Sequence, residues 1–165
     1  MTEVLPVELA AETGRALTGK GWRLISAESC TGGLLAATMT EIAGSSEWFE
    51  GAFVTYRLSA KTAMVGVSTE MLASHGAVSE PVARAMAEGA LANSNADIAV
   101  SITGIAGPDG GDVVSPVGTV WFGWAIREDS AIRCVQTAEH HLSGNRQTVR
   151  AQAVKVALEG VLALC

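Results

Sequence analysis

A chain of 165 residues fits one domain and leaves little room for two, and 48% apolar against 17% charged residues supports a sizeable core and excludes intrinsic disorder. Eighteen glycines and four prolines follow no period, which excludes collagen-like and low-complexity chains, and no apolar run approaches the roughly 20 residues of a membrane span. The formal charge of −6, with no cluster of Lys and Arg, argues against nucleic acid as a partner.

In chain order, Val7 to Lys20 has the apolar spacing of an amphipathic helix, closed by Gly19 and Gly21. Trp22 to Ala27 reads as a short strand that stops at Glu28-Ser29-Cys30-Thr31-Gly32-Gly33, and Leu34 to Ile42 reads as a helix. Gly51 to Tyr56 is a second strand. Helices are expected over Leu58 to Met64, Thr69 to His75 and Ser79 to Ala92, the last with Ser79 as its N-cap and Pro81 in its first turn. Asp97 to Thr103 is a buried strand that runs into Gly104-Ile105-Ala106-Gly107-Pro108-Asp109-Gly110-Gly111. Gly118 to Ile126 and Ala131 to Thr137 form a hairpin around Arg127 to Ser130. Arg146 to Leu164 closes the chain as a helix with Val149, Ala153, Val156 and Leu158 near its inner face. Strands interleaved with helices predict a three-layer α/β/α sandwich around a mixed, mostly parallel sheet, and residues 1–165 form a single domain without repeat or linker.

Met1 to Gly14 carries Glu3, Glu8 and Glu12 and lacks the basic start of a signal peptide, so a soluble cytoplasmic protein is expected. Cys30, Cys134 and Cys165 form no CxxC pair and read as free thiols. Adjacent His140 and His141 would point to opposite faces of a strand, no metal-ligand spacing occurs, and neither a metal nor another cofactor is expected.

Three places could carry chemistry. The ESCTGG loop ends a strand and opens a helix: Gly32 and Gly33 allow close backbone approach, and the helix start offers N–H groups to an anion. An ordinary N-cap turn would use the same residue types. The TGIAGPDGG loop, with Thr103, Gly104 and Gly107, stands at an equivalent strand end and can converge on the same cleft, or be a tight excursion between strands. Tyr56, the single tyrosine, and Lys61, one of three lysines, can both face the top of the sheet. A lysine held in an apolar cleft loses charge stabilisation and can act as a general base toward a serine; the bland alternative is a surface lysine beside a half-buried tyrosine. Cys30 at a helix start could be a thiol nucleophile, but no nearby His supports it and packing is the better reading.

Ala27 to Gly33, Gly44-Ser45-Ser46, Phe53 to Tyr56 with Lys61, Gly76 to Glu80, Thr103 to Gly111, Pro116 to Val120, and Arg146 with the helix after it resemble, in this order, the CinA C-terminal-domain family in its stand-alone form. The resemblance implies an amidohydrolase that converts nicotinamide mononucleotide to nicotinic acid mononucleotide and ammonia. It also implies Ser29 as nucleophile, Lys61 as its base and Tyr56 as a partner that orients or relays the proton. Backbone N–H groups of Thr31 to Gly33 would hold the oxyanion. An anionic nucleotide on a chain of charge −6 needs a local cation, and Arg146, which matches the family's arginine and has a fork suited to phosphate, is the best candidate; the alternative is a pair with a surface acid. The substrate is thus a small molecule, and a homo-oligomer, a dimer, is expected. Family members usually read Ser-Asn where Arg57-Leu58 stands, Asp where Asn145 stands, and Lys where Ser115 stands. The alternative reading is a catalytically weak paralogue that binds a nucleotide-like ligand or a protein.

Overall fold

The computed structural model describes residues 4–165, in the order α1 (Val7–Lys20), β1 (Leu24–Glu28), α2 (Leu34–Thr40), a 3₁₀ turn (Ser45–Glu47), β2 (Phe49–Val54), α3 (Leu58–Val65), α4 (Thr69–His75), α5 (Glu80–Ala92), β3 (Ile98–Gly104), β4 (Thr119–Glu128), β5 (Ala131–His141) and α6 (Arg146–Leu164). The strands form one five-stranded sheet in the order β2-β1-β3-β4-β5. β1 pairs in parallel with β2 and with β3, whereas β4 runs antiparallel to both β3 and β5.

The alternation of side chains along β3 shows how one strand builds two cores. Ile98, Val100 and Ile102 face the layer of α1, α2 and α6, where they meet Leu17, Leu35 and Leu158. Ala99 faces the layer of α3, α4 and α5, where Val82, Met86 and Leu91 pack. The small residues on this second face let α5 approach closely: Ser101 donates to the Ala83 carbonyl at 2.6 Å, and a Cβ on Gly123 would stand 2.6 Å from that same carbonyl oxygen. On the first face, buried Trp124 donates its indole N–H to the Ala157 carbonyl at 3.1 Å and stacks on Phe122. A glycine at position 160 leaves room for its ring.

The expected sandwich and mixed sheet are present, and α1, α4 and α6 span the residues the sequence indicates. Several boundaries differ. β5 runs on to His141, because an outer strand can present Glu139 and His141 to solvent. His140 then lies edge-on to Phe122, while His141 Nε2 meets Glu139 Oε1 at 2.6 Å. β2 begins at Phe49 and ends at Val54, so Tyr56 lies beyond the strand rather than on it. β1 begins at Leu24 and takes in Glu28, and α2 stops at Thr40. Ser79 does occupy the N-cap position of α5, but its hydroxyl donates to the Gly76 carbonyl at 2.8 Å rather than accepting from the helix. The hairpin turns on Asp129 and Ser130, both at positive φ (48° and 67°), the backbone of a two-residue turn that follows the twist of its strands.

Candidate active site

Strand β1 delivers the first functional side chain. Its five residues are buried, and the next residue, Ser29, leaves the sheet with its N–H bonded to the Ile102 carbonyl at 2.9 Å. A turn follows, closed by the Gly32 N–H on the Ser29 carbonyl at 3.0 Å. Gly32 and Gly33, at φ of 56° and 97°, then reverse the chain into α2 through two successive left-handed conformations that side-chained residues rarely adopt.

Beneath this turn lies the fully buried carboxylate of Glu28. Its Oε1 accepts from the Thr31 hydroxyl (2.8 Å) and from the N–H groups of Gly33 (3.2 Å) and Leu35 (3.0 Å). Its Oε2 accepts from the Ala36 N–H and the Ser26 hydroxyl, both at 3.1 Å. The start of α2, which the sequence offers to an external anion, therefore already holds an internal one. The N–H groups of Gly32 and Gly33 are committed within the chain, and Thr31, Gly32 and Gly33 shape the turn from behind rather than line the cleft. This corrects the expectation that Gly32 and Gly33 donate to an oxyanion. Among the described residues, the N–H groups of Cys30 and Thr31 find no such partner.

Lys61, in the first turns of α3, is 1% exposed. Its Nζ lies 2.7 Å from the Thr55 carbonyl, 3.1 Å from the Tyr56 carbonyl and 3.0 Å from Ser29 Oγ. No carboxylate is among these partners. Burial pushes the ammonium down from its ordinary value to about 8. A neutral amine has two N–H groups and one lone pair; two carbonyls fix the hydrogens, and the lone pair is left for the serine hydroxyl. Tyr56 serves this arrangement through its main chain. Its phenol is exposed and accepts from Arg146 Nη2 at 3.4 Å, and among the described residues no hydrogen bond joins it to Ser29 or Lys61.

The cleft above Ser29 encloses about 560 Å³ and is lined also by Lys61, Tyr56, Thr103, Gly104, Gly107 and Arg146. The loops after β1 and β3 thus converge at the carboxyl ends of neighbouring strands. Thr103 spends its hydroxyl on the Ala77 carbonyl (2.8 Å) and fixes the far wall. Gly104 packs so tightly on β4 that a Cβ would meet Val120 Cγ2 at 2.7 Å. Gly107 offers its carbonyl to Arg146 Nη1 at 2.8 Å. Arg146 is thereby held by the cleft's own loop rather than by a surface carboxylate. Cys30 lies beside the serine, but burial raises its thiol to about 11, which keeps it protonated and unreactive at neutral pH.

The whole of this architecture, residues 7–165, matches the family model described as the CinA C-terminal domain. The chain belongs to that family. It is 52% identical over 159 residues to the nicotinamide-nucleotide amidohydrolase PncC of Escherichia coli strain K12, covering 96% of this chain and 94% of that protein. The protein of the same name from Enterobacter agglomerans is 50% identical over 162 residues, covering 98% and 96%. Among solved structures, the competence/damage inducible protein CihA of Agrobacterium tumefaciens superposes with a TM-score of 0.90 at 42% identity, covering 98% of each chain.

Set against the family pattern, the three departures lie outside the Ser29–Lys61 contact. Arg57 and Leu58 are exposed on the cleft wall. Asn145 still caps α6, its Oδ1 accepting from the Thr148 N–H at 2.9 Å as an aspartate oxygen would. Ser115 lies in the loop before β4, its N–H bonded to Asp112 Oδ1 at 2.7 Å. Two residues escaped the sequence reading: Glu28 and Arg150. The Arg150 guanidinium reaches from α6 to the carbonyls of Cys30 (3.0 Å) and Thr31 (2.9 Å). The signal for Arg150 was its place four residues after Arg146, on the same helix face.

Proposed function

We propose that the chain hydrolyses the carboxamide of nicotinamide mononucleotide, giving nicotinic acid mononucleotide and ammonia, through a serine nucleophile and a lysine base. The observation that carries the mechanism is the buried Lys61 amine, 3.0 Å from Ser29 Oγ with two carbonyls occupying its other bonding directions. The relatives named nicotinamide-nucleotide amidohydrolase, similar over nearly the full chain, support the substrate.

Neutral Lys61 takes the proton of Ser29 as Oγ attacks the carboxamide carbon. The tetrahedral intermediate collapses when Lys61 returns that proton to the departing nitrogen, so ammonia leaves and an ester remains on Ser29. Water then attacks the ester, Lys61 accepts its proton and passes it to Ser29 Oγ, and the pyridine carboxylate is released. Arg146, placed by Gly107 and Tyr56, supplies the cation for the phosphate, and Arg57 adds a second positive group on the same wall. The reading takes the protein to act in the cytoplasm as a dimer; light scattering of the purified chain tests the second point.

The deciding experiment is ammonia release from nicotinamide mononucleotide by the purified protein, with Ser29→Ala as control. Release by the wild type and none by the variant is expected. If the wild type binds the nucleotide without releasing ammonia, the weak-paralogue reading takes its place.

A further inference from the structure

The structure assigns a positioning role to Arg150: it holds the turn after Ser29 so that the Cys30 N–H receives the oxyanion. This rests on the acyl-transfer reading above. Arg150 Nε donates to the Cys30 carbonyl and Nη2 to the Thr31 carbonyl, at 3.0 and 2.9 Å. One planar side chain therefore fixes two consecutive peptide groups. In a trans peptide the C=O and N–H point in opposite directions. The grip on the Thr31 carbonyl sends the Gly32 N–H toward the Ser29 carbonyl, where it closes the turn at 3.0 Å, and the Ser29 carbonyl so held turns the Cys30 N–H of the same peptide the opposite way.

Elimination leaves the same donor. Around the turn, the N–H of Ser29 is bonded to Ile102, that of Gly32 to Ser29 and that of Gly33 to Glu28. Among the described residues the N–H of Cys30 donates to no other residue, and Cys30 lines the cleft, whereas Thr31 does not. The residue after a nucleophile commonly supplies one oxyanion donor from its main chain. Arg150 itself does not line the cleft, so it acts through the peptides it holds. A guanidinium suits this task because its fork spans two acceptors, whereas a lysine satisfies them as a point donor.

The test measures Arg150→Met and Arg150→Lys beside the wild type. A preformed oxyanion donor acts in the transition state, so kcat for nicotinamide mononucleotide should fall about 10²-fold in the Met variant, with KM within about twofold. The pH midpoint of kcat should stay where Lys61 sets it. The Lys variant should recover part of the loss. A fluorophosphonate probe gives a second readout without the nucleotide: the Ser29 Oγ–P bond forms, the P–F bond breaks, fluoride leaves and Lys61 takes the proton. Its rate should fall in the same order, because the phosphoryl oxygen uses the same donor. An Arg150→Met enzyme with wild-type kcat, or one whose loss lies in KM or in a moved pH midpoint, overturns the inference. Should the Met variant fail to fold, the Lys variant decides, and an unchanged kcat there overturns it equally. If the wild type is labelled at Ser29 yet releases no ammonia, the substrate reading fails, and the labelling rates still judge Arg150.

Discussion

Two buried ionisable side chains flank Ser29, and they are treated in opposite ways. Glu28 is surrounded by five donors, three of them from the start of α2 and two of them hydroxyls. Lys61 has three neutral oxygens and no counter-charge. A fully bonded carboxylate is a structural element: it fastens a strand end to a helix start, and its removal strands several buried donors. A buried ammonium with only neutral partners is held against its preference, and that cost is what makes it a base near neutral pH. The fold thus keeps one charge satisfied for shape and another dissatisfied for chemistry.

The largest effects should come from removing the chemistry while leaving the carboxylate alone. Ser29→Ala, and Lys61→Arg, which cannot deprotonate, should each lower kcat by about 10³-fold or more while keeping the wild-type circular dichroism spectrum. Cys30→Ala should keep most activity. An active Lys61→Arg enzyme would take the base role from this residue. The reverse change attacks shape: Glu28→Ala should cost about 3 kcal/mol in urea unfolding, since it leaves three helix N–H groups and two hydroxyls without their acceptor. A loss under about 1 kcal/mol would mean that water replaces the carboxylate easily.

The pH dependence sharpens the contrast further. The proposed mechanism needs neutral Lys61, so kcat should rise about tenfold per pH unit below, and level off above, about pH 8. Stability follows the same group. The folded-state value of about 8 lies under the ordinary 10.5, so the burial penalty is complete below pH 8 and fades as pH rises toward 10.5. Between those limits the wild type should gain up to about 3 kcal/mol relative to Lys61→Met, measured by unfolding at pH 7.5 and pH 10. Parallel curves for the two proteins would show that the lysine is not destabilised by burial. The smallest expected effect is that of Arg146→Ala, a rise in KM of about tenfold for the mononucleotide with little change in slow hydrolysis of the phosphate-free riboside. Equal losses on both substrates would place the phosphate elsewhere.

Much of this was legible in the sequence for physical reasons. Apolar periodicity and cap residues delimit α1, α4 and α6, and the Asp129-Ser130 turn announces its hairpin. Ser29, Tyr56, Lys61 and Arg146 stand out by residue type beside glycine-rich strand ends, and the structure brings them to one cleft. What periodicity could not reveal was the use of each polar group. Tyr56 was read as a partner that orients or relays the proton; the structure bonds its carbonyl to Lys61, because β2 stops at Val54 and frees the next two carbonyls, while its phenol meets Arg146. Glu28 was read as one more polar loop residue. Only tertiary structure shows its carboxylate folding back under α2, and the approach of α6 to the turn after β1 shows which carbonyls Arg150 holds.

Helix α6 carries Arg146 and Arg150 four residues apart, the first fastened to the loop after β3 and the second to the turn after β1. Those two loops form opposite banks of the cleft, and one stiff rod ties them together. The rise of an α-helix places the two anchors about 6 Å apart along its axis. The gap between the banks is therefore set by helix geometry, much as a spacer bar sets the width of a window frame. A change that lets α6 slide on Trp124, such as a larger residue at Gly160, would shift both banks at once without touching either loop.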